Sequence, residues 1–374
     1  MKHPSRWRTG VLVSVHVLIL AHIVHWLTAG KTIAGLEPSE AMEFSKHGVV
    51  NLGLILLVGA ALITAVFGRF FCGWGCHIIA MQDLCRWLLI KVGIRPKPLR
   101  SRLLRWVPVA AFLYMFVWPV VYRLGAGRVF PPVTTAMTTS NLWASMPGWV
   151  IGSLTIFICG FAIVYVLGAK GFCTYACPYG ALFGAADRLA PLRVRVNDDC
   201  DQCARCTAAC TSNVRVHEQV RDFAMVRDSG CMKCLDCVAA CPNDALFVGL
   251  GRPALGAKPR VEGPPAGRPW NVSWMEEIVL ASAFVLAFAT FRGLYGWIPF
   301  LLTLGLSGIL AFLSLATVRL GGDRNLRFGA ARLKRDGRVT SAGWVFASMM
   351  IVVGFLWAHS ALVRFHEARG EAAF

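Results

Sequence analysis

Seven long apolar stretches constrain this chain more than any other feature of its sequence. They lie near residues 10–29, 48–68, 106–124, 149–168, 277–293, 296–318 and 343–363. A membrane-crossing helix needs about 20 mostly apolar residues, and only 16% of this chain is charged, against about 25% in soluble domains. We therefore predict an all-α polytopic membrane bundle of about seven spans. The fifth stretch is the shortest, because Glu276, Glu277 and Arg292 bound it, and a re-entrant or interfacial segment is the alternative there.

The distribution of basic residues orients the predicted spans. With the N-terminus in the cytoplasm, the segments on that side contain 31 of the 38 Lys and Arg residues and the outer segments contain 7. Because cytoplasmic connections are enriched in Lys and Arg, we expect a cytoplasmic N-terminus and, after seven spans, a C-terminus outside. This topology accounts for most of the formal net charge of +18. No recognition motif accompanies that charge, so we expect membrane lipid and not nucleic acid as a partner.

One soluble insert interrupts the spans on the predicted cytoplasmic side. It covers residues 169–275, and its last part, residues 249–270, is rich in Pro and Gly as a linker would be. The chain therefore divides into three predicted segments. Residues 1–168 contain the first four spans, residues 169–275 contain the insert, and residues 276–374 contain the last three spans.

The insert contains two cysteine runs with identical spacing. The first run is Cys200-x2-Cys203-x2-Cys206-x3-Cys210 and the second is Cys231-x2-Cys234-x2-Cys237-x3-Cys241. A cubane iron–sulfur cluster needs four thiolates, and in two-cluster ferredoxins the fourth comes from the other run. This spacing predicts a small α+β ferredoxin-like domain with two [4Fe–4S] clusters. The predicted ligand sets are Cys200, Cys203, Cys206 and Cys241 for the first cluster, and Cys231, Cys234, Cys237 and Cys210 for the second.

Two other readings of the cysteine runs have weaker support. Structural zinc sites usually have two cysteine pairs separated by a longer gap, whereas here four cysteines lie within eleven residues. Disulfides are disfavoured because the predicted compartment is reducing. Iron–sulfur chemistry is therefore the main expectation.

A second cysteine motif follows the second and fourth apolar stretches. It is Cys72-x3-Cys76 in the first copy and Cys173-x3-Cys177-Pro178 in the second. The residues around the two copies also align at one constant offset, which indicates a duplicated helical hairpin whose two motifs approach each other at the cytoplasmic face. Residues i and i+4 share one face of a helix, so each pair could present two thiols together.

These motifs resemble a known family. The stretches RFFCGWGCHIIAM at 69–81 and KGFCTYACPYGALF at 170–183, together with the insert at 197–249, resemble the membrane-bound polyferredoxins typified by NapH, NosR and CcoG. The resemblance implies a multi-pass protein of the bacterial inner membrane that transfers electrons. His77 replaces the family's proline in the first copy, and no D-G-x-T-G-A-T motif is present, so we expect no covalent flavin.

The role of the four C-x3-C cysteines stays open at this point. Cys72, Cys76, Cys173 and Cys177 could bind a third metal centre or cluster, or act as dithiol/disulfide switches. They could also be small structural residues at a helix-to-loop corner.

Histidines near the predicted outer face form a further candidate site. Ionisable residues within a membrane are costly and are often functional. The candidates are His22, His25, His47 and His359, beside the acidic loop residues Glu37, Glu40 and Glu43. They could bind a quinone or ligate a b-type haem, the less favoured option, or be interfacial histidines next to a solvated loop.

The expected function is electron transfer through the two clusters, between the quinone pool or a cytoplasmic carrier and a respiratory partner. The basic cytoplasmic face favours an acidic carrier protein as a docking partner. An assembly factor that reduces a metal for a partner oxidase or reductase, as in CcoG, is one alternative, and a redox sensor is another. Nothing in the sequence indicates a substrate pocket, so a redox carrier is favoured over a self-contained enzyme.

Overall fold

The computed structural model describes residues 4–142, 148–260 and 270–371 of the chain. Helices dominate these residues, and the strands are short. The helices are α1 Pro4–Ala29, α2 Met42–His47, α3 Leu52–Phe67, α4 Phe70–Trp74, α5 His77–Lys91, α6 Val107–Phe112, α7 Trp118–Gly125, α8 Trp149–Thr155, α9 Ile163–Leu167, α10 Gly171–Tyr175, α11 Tyr179–Asp187, α12 Arg205–Ala209, α13 Val216–Phe223, α14 Asp236–Ala239, α15 Trp274–Phe291, α16 Phe300–Gly322 and α17 Ser341–Glu371. The strands are β1 Thr32–Ile33, β2 Val49–Asn51, β3 Thr134–Ala136, β4 Thr138–Thr139, β5 Arg193–Val196, β6 Leu246–Gly249, β7 Leu326–Phe328, β8 Ala331–Arg335 and β9 Arg338–Val339.

Six helices within the described residues are long and apolar enough to cross a membrane. They are Arg6–Ala29, Leu104–Gly125, Trp149–Leu167, Trp274–Phe291, Phe300–Gly322 and Ser341–Gly370. Each corresponds to one of the predicted stretches. The second predicted stretch forms only the 16-residue helix α3, which at 1.5 Å per residue is about 24 Å long and shorter than the usual span of about 20 residues. Strand β2 takes up the first part of that stretch.

Two candidate spans contain a π-helical turn in the middle. The turn covers Leu113–Val117 between α6 and α7, and Ile156–Ala162 between α8 and α9. Each span is therefore one continuous helix whose side chains change face at the π turn, since a π turn holds an extra residue.

The shortest predicted span is defined by side-chain capping. The Ser273 side chain accepts from the Glu276 backbone N–H, and the Glu276 carboxylate accepts from the Ser273 N–H, which completes a capping box at the start of α15. Glu277 is fully buried and accepts hydrogen bonds from the Ser101 hydroxyl at 2.5 Å and the Arg102 N–H at 2.7 Å. The two glutamates therefore begin an 18-residue helix that meets the length and hydropathy of a span.

Packing groups the chain into two compact units, which differ from the three predicted segments. The first comprises residues 1–81, 107–146 and 177–268, and the second comprises residues 82–106, 147–176 and 269–374. The cysteine-rich insert thus shares a unit with α1, α3 and α4. Residues 261–269 of the predicted linker and both chain ends lie outside the described residues.

The insert in the first unit has a two-stranded antiparallel sheet. Strands β5 and β6 pair in register from Arg193 with Gly249 to Val196 with Leu246. Its core is formed by the buried residues Val194, Val214, Val216, Val220, Val226, Leu235, Cys237 and Leu246. Phe70 and Trp74 of α4 pack against this core. This is the small α+β arrangement expected for the insert.

The second unit contains α15, α16 and α17 and a three-stranded antiparallel sheet in the order β7-β8-β9. The sheet connects α16 to α17, and its Leu333 packs with Ala316 and Phe346 in a small apolar cluster.

The two C-x3-C copies adopt the same series of short elements. In the first copy, Gly68 (φ 71°) caps the end of α3 and the short helix α4 follows. The helix is interrupted at Cys76, and α5 begins at the next residue. In the second copy, Gly168 (φ 103°) caps the end of α9 and the short helix α10 follows. The helix is interrupted at Cys177, and α11 begins two residues later. A positive φ is most easily adopted by glycine, so a glycine ends the long helix before each motif.

Candidate iron–sulfur and thiol sites

The two cysteine loops of the insert repeat in backbone conformation as well as in sequence. Six of the non-glycine residues with a positive φ form three pairs at the same offset as the cysteine runs. The pairs are Gln202 with Lys233, Ala204 with Leu235, and Asn213 with Asp244. This conformation is costly for residues with a Cβ, and strained backbone of this kind clusters at functional sites. The repeated strain indicates that both loops are shaped for the same kind of ligand.

The four cysteines of the first predicted set line one cavity. Cys200, Cys203, Cys206 and Cys241 surround it, together with His217 and other side chains. The loop is held by its own polar groups, because Asp201 accepts a hydrogen bond from the Cys203 N–H at 3.1 Å. Cys203 is exposed to solvent. The first cavity therefore lies at the surface of the insert.

The second predicted set is more deeply buried. Cys234 and Cys237 are each 6% exposed, and the Thr211 hydroxyl lies 3.6 Å from the Cys234 sulfur. Burial, together with the neighbouring Cys234 and Cys231, raises the pKa of the Cys210 thiol to about 12. Burial also raises the pKa of Cys237, followed by the effects of Cys231, Cys234 and Cys210. These four thiols are thus mutual neighbours.

The first cysteine set surrounds a cavity, as expected for a ligand larger than a single metal ion. A single tetrahedral zinc ion, with Zn–S bonds of about 2.3 Å, brings its four sulfurs to about 3.8 Å from one another. Within residues 4–142, 148–260 and 270–371, no three His, Cys, Asp or Glu side chains are grouped closely enough to hold one metal ion. The first set instead surrounds a cavity. An iron–sulfur cluster, whose iron and sulfide occupy the centre, fits this arrangement.

A buried ion-pair cluster fixes the second cysteine loop to the helices of the first unit. Lys233, between Cys231 and Cys234, places its Nζ 2.6 Å from Asp187 Oδ1 at the end of α11. Asp187 also pairs with Arg193 at 3.0 Å and accepts from the Arg69 N–H at 3.2 Å. Lys233, Asp187 and Arg193 are at most 1% exposed.

Helices α1 and α4 pack on the same loop. The Trp74 indole N–H donates to the Lys233 carbonyl oxygen at 2.9 Å, and a Cβ added at Gly73 would overlap the Met232 carbonyl oxygen. Arg8 of α1 donates from Nε to the Gly73 carbonyl oxygen at 2.7 Å. The second loop is therefore in direct contact with the segment that contains Cys72 and Cys76.

Three of the four C-x3-C cysteines come together in the first unit. Cys177 is close enough to Cys76 and Cys72 for their charges to interact, and Cys76 interacts with Cys72. Cys72 is buried, and Cys76 and Cys177 are partly buried. Cys173 is buried and belongs to the second unit.

Helix α11 follows Cys177 and packs against two other parts of the first unit. Its last residue, Asp187, lies beside Gly68 at the end of α3. Its first residue, Tyr179, packs edge-on against Phe116 with ring centroids 6.2 Å apart. The motif with Cys177 follows the candidate span Trp149–Leu167, and its position at the cytoplasmic end of that span stays a prediction.

The four predicted histidines are divided between the two units, and those of the first unit have partners of their own. His22 Nε2 lies 3.1 Å from the Ile33 carbonyl oxygen, and His25 Nδ1 lies 2.9 Å from the Thr32 hydroxyl. His47 faces Glu43 across 4.0 Å at an exposed position. His359 belongs to the second unit. Hydrogen bonds to the segment after α1 thus account for two of these rings, and the quinone or haem role stays a prediction.

One acid of the predicted outer loop lies close to the thiols instead. The Glu37 backbone packs on Gly53 at the start of α3, and its carboxylate is close enough to interact with Cys76 and with His77. The buried Tyr179 hydroxyl lies close to the Ser39 side chain, and it is near enough to Glu37 for their charges to interact. Glu37 and Tyr179 therefore belong to the surroundings of the three thiols, which the sequence did not indicate.

The residues that fix the second loop were also not found from the sequence. Arg8, Asp187 and Arg193 carry no motif, and they meet Lys233 or its neighbours only through long-range folding. Lys233 itself had a signal, since the repeat of the cysteine runs aligns it with the uncharged Gln202.

Comparison with protein families shows which known domains this chain resembles. A family model described as a 4Fe-4S dicluster domain matches residues 199–246, which hold both cysteine runs. A model described as a 4Fe-4S binding domain matches twice, at residues 51–95 and 149–197, which hold the two C-x3-C copies. With its six candidate spans, the chain resembles membrane-associated iron–sulfur proteins of the ferredoxin type.

Individual relatives are electron-transport and ferredoxin-type proteins by name. The chain is 26% identical over 291 residues to the putative electron transport protein YccM of Escherichia coli, covering 69% of this chain and 79% of YccM. It is 29% identical over 204 residues to ferredoxin-type protein NapH of Haemophilus influenzae, covering 50% of this chain and 66% of NapH. It is 29% identical over 182 residues to methylamine utilization ferredoxin-type protein MauN of Methylorubrum extorquens, covering 47% of this chain and 60% of MauN.

These matches confirm the resemblance to NapH-like polyferredoxins. The chain spans less than two thirds of NapH and of MauN. No solved structure matches this chain.

Proposed function

We propose that this protein is a membrane electron carrier in which two [4Fe–4S] clusters act in series. The first would be held by Cys200, Cys203, Cys206 and Cys241, and the second by Cys231, Cys234, Cys237 and Cys210. The clusters supply one-electron redox chemistry when bound. The chain's own residues set the order, the burial and the contacts of the two sites.

The observation that carries this proposal is the graded burial of the two cysteine sets within one unit. The first cavity includes the exposed Cys203, so a soluble carrier could exchange electrons there. Cys234 and Cys237 of the second set are buried, and the second loop touches α4 through Trp74 and Gly73. These contacts support a path from solvent through the first and second sets to the helices of the first unit.

The thiols of α4 and α11 are candidates for a third redox centre. Cys72, Cys76 and Cys177 are close enough for their charges to interact. Cys72 and Cys76 flank Gly73 and Trp74, the two residues that contact the second loop. The match of a 4Fe-4S binding domain to both hairpins supports a metal centre over a structural corner. Cys173 stays a candidate from the sequence motif alone.

The membrane end of the path would exchange electrons with quinone or with a respiratory partner. A quinol that releases electrons also releases protons, so it needs acid–base groups near the electron acceptor. Glu37 and His77 lie near Cys76 and could serve, in addition to the histidines His22, His25, His47 and His359. The proposed orientation has the insert in the cytoplasm, because most Lys and Arg residues lie on that side, where the basic face would attract an acidic carrier.

Iron and sulfide analysis with electron paramagnetic resonance (EPR) tests this function on anaerobically purified protein. Two clusters require about eight irons per chain. Cys206→Ala should remove the signal of one cluster and Cys237→Ala that of the other. A protein without iron–sulfur signals would refute the proposed function.

The third centre needs a separate comparison of cysteine variants. Cys76→Ser and Cys177→Ser should lower the iron content or stop reduction of the insert by quinol, because each removes one of the neighbouring thiols. Cys159→Ser is the matched control, since Cys159 is a buried thiol in a candidate span that only approaches the Leu301 carbonyl at 3.5 Å. Equal iron content and quinol turnover in all three variants would contradict a redox role for these thiols. Copper binding that depends on Cys76 would favour the metal-reducing assembly factor.

A further inference from the structure

The two cysteine loops differ in charge at one equivalent position. Gln202 and Lys233 occupy matching places in the repeat, and each lies between the first and second cysteines of its loop. Both have left-handed backbone, with φ of 58° and 50°. The two equivalent loops therefore place the neutral side chain of Gln202 beside the first cysteine set and the positively charged side chain of Lys233 beside the second.

The surroundings of these two side chains also differ. Gln202 is exposed, and its amide nitrogen lies 3.4 Å from the Cys200 sulfur. Lys233 is 1% exposed and is held by Asp187 at 2.6 Å, which Arg193 shares at 3.0 Å. Water screens a charge at the first position, whereas a charge at the second acts through a low-dielectric interior.

The ion-pair cluster carries an excess of positive charge. Asp187 provides one negative charge against the two positive charges of Lys233 and Arg193, and all three side chains are buried. An uncompensated buried charge is strongly destabilising. Lys233 follows Cys231 by two residues and directly precedes Cys234, so its charge lies beside the second cysteine set. The anionic group that balances the excess is thus expected at the second cysteine set.

We propose that Lys233, oriented by Asp187, makes the second cluster the more easily reduced of the two. This inference rests on the proposed function. One electron leaves the first cluster and enters the second, with no bond made and no proton transferred. The buried ammonium group lowers the energy of the added negative charge, so electrons that enter at the exposed site are drawn toward α4. Lys233 is a positioning residue in this sense, because it acts on the potential of a group it does not ligate.

A redox titration followed by EPR tests this proposal on the full-length protein in detergent. Lys233→Gln makes the second loop match the first, and Lys233→Arg is the control that keeps the charge. In Lys233→Gln the ratio of reduced to oxidised second cluster at a fixed ambient potential should fall at least tenfold, which is about 59 mV for one electron. The first cluster should keep its potential, and Lys233→Arg should keep both. The Cys206→Ala and Cys237→Ala proteins assign the signals.

The outcomes separate this proposal from the proposed function. Two clusters with unchanged potentials in Lys233→Gln overturn the role of Lys233 and leave the carrier function standing, whereas a wild-type protein without clusters overturns both. Lys233→Met, which keeps the length of the side chain, provides the titration if Lys233→Gln does not retain the second cluster. Loss of that cluster in both variants overturns the proposal, because Lys233 would then serve cluster retention and not potential.

Discussion

Replacing Asp187 by Asn should destabilise the first unit far more than its small change in shape suggests. The side chain is fully buried and accepts from Lys233 at 2.6 Å and from Arg193 at 3.0 Å. Asparagine keeps one acceptor oxygen but removes the negative charge, so two buried cations lose their partner. Breaking a buried ion pair from one side costs about 3–5 kcal/mol. Two hydrogen bonds to charged groups, at about 1.5–3 kcal/mol each, give a similar figure.

The assay is protease cleavage of the transiently opened protein in detergent. When reclosing is faster than cleavage, the rate follows the equilibrium population of the open form. A loss of about 3 kcal/mol corresponds to roughly a 150-fold higher rate, since about 1.4 kcal/mol is tenfold. Cleavage should occur within the insert, because the ion-pair cluster holds its second cysteine loop.

The control is an aspartate whose ion pair is exposed. Asp336 lies 3.8 Å from Arg335, and their side chains are 80% and 70% exposed. Exposed pairs contribute about 0–1 kcal/mol, so Asp336→Asn should change the cleavage rate less than about fivefold. An Asp187→Asn protein that resists protease as well as Asp336→Asn does would refute the reasoning, because the buried pair would then contribute no more than the exposed one.

Three further predictions concern packing, capping and the clusters. Gly73→Ala should displace the second cysteine loop, because a Cβ would overlap the Met232 carbonyl. EPR should then show the loss of one cluster signal. The control Gly59→Ala, where a Cβ meets nothing within 4 Å, should retain both signals. Ser273→Ala should lower stability by about 1 kcal/mol, because it removes the capping box with Glu276; thermal unfolding measures this, and an unchanged midpoint contradicts it. Removing iron with a chelator should speed proteolysis of the insert, since bound ligand stabilises the folded state; equal rates with and without iron would oppose this.

Much of this architecture was predictable because it depends on local patterns. Apolar length alone located the six long helices, and cysteine spacing alone located the two runs that match a dicluster domain. The repeat of the cysteine runs even appears in the backbone of pairs such as Ala204 and Leu235. Spacing in sequence fixes spacing in space when the residues lie within one turn or loop, so these features needed no knowledge of the tertiary fold.

The features that were not predicted depend on contacts between distant segments. Asp187 and Lys233 are 46 residues apart, and Arg8 meets Gly73 across 65 residues. From the sequence, Glu37 is one of several acids in a predicted outer loop, but its packing on Gly53 brings it near Cys76. The second apolar stretch was predicted to be a full span because hydropathy does not show that Val49–Asn51 pairs as a strand with Thr134–Ala136.

The contact between the second cysteine loop and α4 has a consequence for how the protein is made. Met232 and Lys233 rest on Gly73 and Trp74, and Trp74 leaves the ribosome 159 residues before Lys233 does. The second loop therefore acquires its final shape only against a segment that was synthesised long before it. In the proposed function, the first cluster also takes Cys241 from the end of the second run, so both cysteine sets would be completed only after this late contact forms.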